Sequence, residues 1–197
     1  CRVKVIEMDY APETTKIAFQ ELAQNRYESK DVFQLEQNYI INNKARLDFV
    51  VNLISRIPRN SLVLFHRIEH GKRLYEALRQ RSQKKVFYVD GGTDSDIREE
   101  YKKKMEAGEE IVIVASYGTF STGISIKKIH SIFFTESFKS EVIIRQSIGR
   151  GLRKHEDKKK LLIIDFIDDY RIGKYNNYLY KHGLARQEIY REQNFPY

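Results

Sequence analysis

The chain has 197 residues, 41% of them hydrophobic, enough for one domain with a buried core, which excludes global disorder. Lys and Arg number 35 against 27 Asp and Glu, and the net charge of +8 favours an anionic partner, nucleic acid above all, because neutralising phosphates releases counterions. A single cysteine, Cys1, permits no internal disulfide and favours a reducing, cytoplasmic setting, and no apolar run approaches the ~20 residues that span a bilayer, so no membrane role is expected.

The opening CRVKVIEMDY has neither an initiator methionine nor a signal-peptide pattern, and it reads as a cut inside a longer protein. Residues 1–12 read as a strand of a preceding domain followed by a linker. Helical patterns then cover 13–27 and 42–57, with Pro58 stopping the second. The chain divides on this reading into 1–45, the end of a preceding lobe with linker and lead-in helix, and 46–197, the main unit. Near-continuous apolar runs at 61–66, 85–89, 110–116, 130–136 and 160–166 have the character of strands covered on both faces. Helical stretches at 69–82, 94–108 and 140–151 alternate with them, with Asp94 or Ser95 placed as an N-cap and Gly108 as a C-cap. That alternation predicts βαβ units: an α/β fold with a mostly parallel sheet, ligands at the carboxyl ends of its strands, and helices before and after it. Past Asp169, the Tyr-rich basic stretch 174–193 reads as one or two helices, with a break at Gly183.

Several motifs must be weighed. HRIEH, residues 66–70, matches a zinc pattern on paper, but His66 ends an apolar run where a strand gives way to a loop. HGK, residues 70–72, fails as a phosphate loop: His66 occupies the first glycine position and Arg73 that of the Ser/Thr. Asp165 and Asp168 read as shaping the end of a strand. The loop ASYGTFSTGIS, residues 115–125, follows a buried strand, and its hydroxyls and N–H groups suit a phosphodiester or an ordinary strand–helix connection equally. In QSIGRGLR, residues 146–153, helical spacing places Gln146, Arg150 and Arg153 within about 60° of arc. Two guanidinium forks near that polar loop, on the same sheet edge, suit charge stabilisation in phosphoryl transfer. With no phosphate loop or its lysine, they form half of an active site.

These residues resemble a family. QSIGRGLR is similar to motif VI of superfamily 2 helicases, IVIVASYGTFSTGIS to motif V, SLVLFH to motif IV, and VFYVDGGTDSDIR to the segment between the last two. The ordered set spans 61–153, as in the family's C-terminal, RecA-like lobe; IGRGLRKH, IDD and YLYKHGLARQEIY resemble phage DNA helicases within it. The resemblance implies an ATP-dependent DNA helicase or translocase acting on branched DNA in recombination, repair and replication. It further implies a RecA-like three-layer fold, ATP with Mg²⁺ held mainly by an N-terminal RecA-like lobe of the same protein, and backbone contacts to DNA of low sequence specificity. This fragment alone is expected to be inactive. By position, Arg150 and Arg153 would be the arginine fingers. Gln146, Gly123 and Ser125 would face the nucleotide, and His66, Arg67, Gly91, Gly92, Ser116 and Thr119 would lie along the DNA. Ser125 departs from the Asp common at its position. A helicase subunit of a restriction system, an RNA-directed helicase and a non-catalytic nucleic-acid-binding module stay open as alternatives.

Overall fold

The computed structural model describes residues 1–25, 29–108, 110–119, 126–137, 141–152 and 160–195. Its elements, in chain order, are β1 (Arg2–Met8), α1 (Glu13–Gln24), α2 (Ser29–Asn42), α3 (Lys44–Arg56), β2 (Ser61–Phe65), α4 (Ile68–Arg81), β3 (Lys85–Val89), α5 (Ser95–Glu106), β4 (Ile111–Ser116), β5 (Ser131–Phe134), α6 (Glu141–Gly151), β6 (Leu162–Asp168) and α7 (Tyr178–Glu192). The strands form one sheet in the order β1-β6-β5-β2-β4-β3, and every neighbouring pair is parallel.

The apolar runs are continuous because both faces of the sheet are covered. Successive side chains point to opposite faces. Leu62 and Leu64 of β2, Ile113 and Ala115 of β4, and Ile132 and Phe134 of β5 join one core with Met105 of α5, Ile144 and Ile148 of α6, and Ile189 and Tyr190 of α7. Their neighbours Val63, Phe65, Val112, Val114 and Phe133 join a second core with Val50, Val51 and Ile54 of α3 and Leu74 and Leu78 of α4. Each fully buried aliphatic or aromatic side chain here contributes about 1.5–3 kcal/mol. The result is the expected three-layer α/β architecture of the RecA-like class.

Cap chemistry sets the helix ends as expected at α5. Asp94 Oδ1 accepts the Asp96 N–H at 2.8 Å, and Gly108 follows the helix at φ 99°, a left-handed conformation that other residues rarely adopt.

Three features differ from the sequence reading. The strand at 2–8, assigned there to a preceding domain, belongs to this sheet: β1 pairs with β6 from Arg2↔Leu162 through Met8↔Asp168. Its residues Val3 and Met8 are buried on opposite faces, so it extends both cores. Helix α2 went unread because its inward stripe, Val32, Glu36 and Ile40 at four-residue spacing, carries a glutamate that is wholly buried. Finally, α7 runs unbroken through Gly183. A Cβ there would lie 2.5 Å from Ile167 Cγ2, so the glycine serves a close helix–sheet approach rather than a break.

A third, smaller cluster joins α1, α2 and the segment entering α7: Phe19, Val32, Ile40, Ile41, Tyr170 and Leu179. It sits beside the carboxyl ends of β1 and β6, where Tyr10, Phe19, Tyr39 and Tyr170 pack with centroids 5.5–6.2 Å apart.

Candidate nucleotide and nucleic-acid face

Parallel strands joined by crossover helices leave all their carboxyl ends on one edge. That edge gathers the segments after β2, β3 and β4, and with them His66, Arg67, Gly91, Gly92, Ser116 and Thr119. Gly123 and Ser125 lie outside the described residues.

After β4, the Ser116 and Thr119 hydroxyls stand 2.8 Å apart, and Ser116 Oγ also accepts the Thr119 N–H at 3.4 Å. Ser116 is half-buried and Thr119 buried, so the pair is rigidly placed at the rim. After β3, Asp90 organises a turn: its Oδ1 accepts the Gly92 N–H at 3.0 Å, and its own N–H donates to Thr93 Oγ1 at 3.0 Å. Gly91 and Gly92 are exposed and lack a positive φ, so the turn does not need glycine for its backbone. What the glycines leave is a bare backbone surface open to close approach.

After β2, the side chain of His66 is exposed while its backbone is fixed from below. The Glu136 carboxylate, 1% exposed, accepts the N–H groups of His66 and Arg67 at 3.2 Å. It also sits 2.7 Å from His70 Nδ1. Burial pushes the Glu136 carboxyl up, but the His70 ring and the two N–H groups outweigh this and hold it below its ordinary value. An ionised carboxylate only accepts, so His70 Nδ1 carries the donated proton. The two histidines of HRIEH therefore do not converge: one faces solvent and the other a carboxylate. Arg67 Nη1 donates to Asn38 of α2, which ties the turn to the helical cluster.

Residues 146–151 of motif VI lie on α6, 11 residues or about 16 Å long. The crossover from β5 to its parallel neighbour β6 starts at the carboxyl edge and ends at the amino edge. Gln146 and Gly149 are exposed on its outward side, whereas Ile144, Ser147 and Ile148 are buried against the sheet. Arg150 follows Gln146 by one turn; its side chain, and all of Arg153, lie outside the described residues. The sequence reading placed these residues on the same edge as the Ser/Thr loop. Helix α6, which carries Gln146, starts at that edge after β5 and runs toward the opposite one, because a parallel neighbour can be reached only from the opposite end of the sheet.

The other half of the edge is closed. Asp168, at the end of β6, is fully buried and binds Arg46 in a bidentate pair, Nε–Oδ1 2.6 Å and Nη2–Oδ2 2.9 Å. Tyr10 Oη donates to the same carboxylate at 3.0 Å. Asp165 is equally buried, with Arg186 Nε at 2.8 Å and Tyr190 Oη donating at 2.8 Å. Both aspartates hold helices to the sheet; Asp168 ends β6 as read from the sequence, whereas Asp165 is the fourth residue of that strand. Glu36 closes the N-terminus of α7, accepting the N–H groups of Tyr178 at 3.0 Å and Leu179 at 2.9 Å and the Tyr175 hydroxyl at 2.5 Å. Burial raises its carboxyl above the ordinary value, and these donors offset the effect only partly.

Glu136, Arg46 and Glu36 were not among the residues singled out in the sequence. Only Glu136 left a signal: an acid two residues after an apolar run, at the same kind of strand end as Ser116.

Comparison with known proteins agrees with this geometry. A family model described as the helicase conserved C-terminal domain matches residues 45–155, which include β2 to β5 and α6. The ATP-dependent DNA helicase uvsW of Enterobacteria phage T4 is 35% identical over 178 residues, covering 84% of this chain and 35% of the phage protein. The crystal structure of T4 UvsW superposes with a TM-score of 0.78 at 30% identity, over 100% of this chain and 40% of that one. The C-terminal part of the Fun30 ATPase domain shares the fold, with a TM-score of 0.64 at 10% identity, over 100% of this chain and 98% of that one. The chain thus spans about a third of the length of the phage relative. The chain belongs to the helicase conserved C-terminal domain family, as the C-terminal RecA-like lobe of a superfamily 2 helicase.

Proposed function

We propose that this chain is the C-terminal motor lobe of an ATP-dependent DNA helicase or translocase that remodels branched DNA in recombination, repair and replication. The observation that carries the reading is the outward side of α6, where Gln146 is exposed, on a lobe whose sequence has no phosphate loop. An N-terminal RecA-like lobe of the same protein supplies that loop. On this reading ATP and its Mg²⁺ are held mainly by that other lobe.

In this mechanism ATP draws the two lobes together. Arg150 and Arg153 then reach the γ-phosphate and stabilise the charge that spreads over its oxygens in the transition state, while Gln146 joins the same contact network. The carboxyl-edge turns, with Ser116, Thr119, His66, Arg67, Gly91 and Gly92, hold the DNA backbone through hydroxyl, N–H and basic groups. Gly123 and Ser125 belong to the loop that connects the two functions. Closing and opening move these turns relative to the N-terminal lobe, so each cycle of hydrolysis shifts the grip along the strand. The +8 charge suits such a backbone grip, which makes binding salt-sensitive and low in sequence specificity. Among the described residues no helix is long and apolar enough to cross a membrane.

The test is Arg153→Ala in the full-length protein. Hydrolysis is expected to fall by about 10³–10⁵, the range for losing an arginine finger, with ATP binding retained. Wild-type turnover by this variant would overturn the proposal.

A further inference from the structure

The DNA-facing turn after β2 is held by one buried residue that neither motif IV nor motif VI contains, and that residue lies on the segment between β5 and the helix of motif VI. Strands β2 and β5 are neighbours, in register at Leu64↔Phe134. Thr135 prolongs the ladder, its Oγ1 donating to Leu64 O at 2.7 Å. The chain then turns across the end of β2, and Glu136 takes both backbone N–H groups of the His66–Arg67 turn at 3.2 Å. Arg67 is the N-cap of α4 with φ −89° and ψ 126°, and its side chain makes no cap hydrogen bond. Glu136, from another strand, instead satisfies the N–H of the N-cap residue and of the residue before it, and His70, in the first turn of α4, holds it at 2.7 Å. The direction of the His66–Arg67 turn is therefore set by β5, and five residues beyond Glu136 the same chain begins α6 at Glu141.

We infer that Glu136 is a positioning residue that fixes the DNA-contacting turn from the strand leading into the motif VI helix, and so couples DNA binding to the nucleotide side of the lobe. The inference rests on the function proposed above. Any shift of α6 that displaces the end of β5 re-aims His66 and Arg67, because the carboxylate holds their amides directly. Conversely, DNA drawn onto the turn pulls on Glu136. The residue touches neither DNA nor nucleotide.

The experiment uses the full-length protein and measures ATP turnover against the concentration of a branched DNA. Glu136→Gln keeps the shape but loses the charge, leaving amide donors under-satisfied. The half-saturating DNA concentration is expected to rise about tenfold, the size of one charge-assisted hydrogen bond, with maximal turnover within about twofold of wild type. In an Arg67→Ala background the same substitution should add little further, because its effect passes through that turn. Faster amide exchange at His66 and Arg67 should accompany the change. Should Glu136→Gln not fold, Glu136→Asp, which keeps the charge one methylene back, carries the same test with a rise of about threefold. Half-saturation at the wild-type concentration, or full additivity with Arg67→Ala, overturns the inference while leaving the proposed function intact. A wild-type protein whose turnover ignores DNA overturns the parent reading and this inference with it.

Discussion

Two buried glutamates divide the carboxyl edge of the sheet into a sealed half and an open half. Glu36 and Glu136 each sit at the N-terminus of a helix, and each accepts two backbone N–H groups. Glu36 itself is wholly buried: α1, α2 and the tyrosine cluster cover the ends of β1 and β6, and Asp168 is committed to Arg46. Around Glu136 the chain stops at exposed turns. The same device, a carboxylate at a helix start, thus fastens a helix in one place and aims a solvent-facing turn in the other. Position at the end of a parallel strand does not by itself make a residue functional; what covers it decides.

The sharpest way to break that comparison is to remove a charge from the sealed half. Arg46→Ala would leave Asp168 buried without its partner, which costs about 3–5 kcal/mol. On the open half, Ser116→Ala removes the hydroxyl's two bonds to Thr119, one of them long, for about 1–2 kcal/mol in all. Urea unfolding of the two variants should separate them clearly, and equal losses would mean that the halves do not differ as described.

A smaller effect is expected from Gly183→Ala. Its Cβ would fall 2.5 Å from Ile167 Cγ2, so α7 must lift from the sheet, at a cost of about 1–3 kcal/mol in thermal unfolding. Alanine at Gly149, where a Cβ meets nothing within 4 Å, should leave unfolding nearly unchanged or slightly favour the helix.

The smallest difference lies in pH dependence, and here the two glutamates have opposite signs. The Glu136 carboxyl is lowered in the fold, so its stabilisation is present above the ordinary glutamate value and is lost as pH falls through the lowered one. The Glu36 carboxyl is raised, so stability is greatest below the ordinary value and declines as pH rises through the raised one. Denaturant midpoints from mildly acidic to neutral pH should therefore rise for Glu36→Gln relative to wild type. Those of Glu136→Gln should approach wild type only as the medium becomes acidic. Parallel profiles for the two variants would remove the distinction.

Much of this protein is written locally. Continuous apolar runs such as IVIVAS, split between two cores by simple alternation, fix strands covered on both faces, and the helical spacing between them fixes a parallel sheet. Asp94 and Gly108 mark the ends of α5 by the chemistry of their own backbones. The order of motifs along 61–153 was likewise legible, because motifs IV and V and the segment between them each sit at a strand run and motif VI begins in the helix after the next one. Tertiary structure alone decided the rest. Arg46 and Asp168 are 122 residues apart, and Glu36 reaches α7 across more than 140, so no window of sequence reveals either pairing. Buried charges also interrupt the apolar rhythm by which α2 would have been read. A strand such as β1 declares its own conformation but not its neighbour. Pairing is settled by which exposed edge and which two apolar faces remain to be covered once the whole sheet assembles.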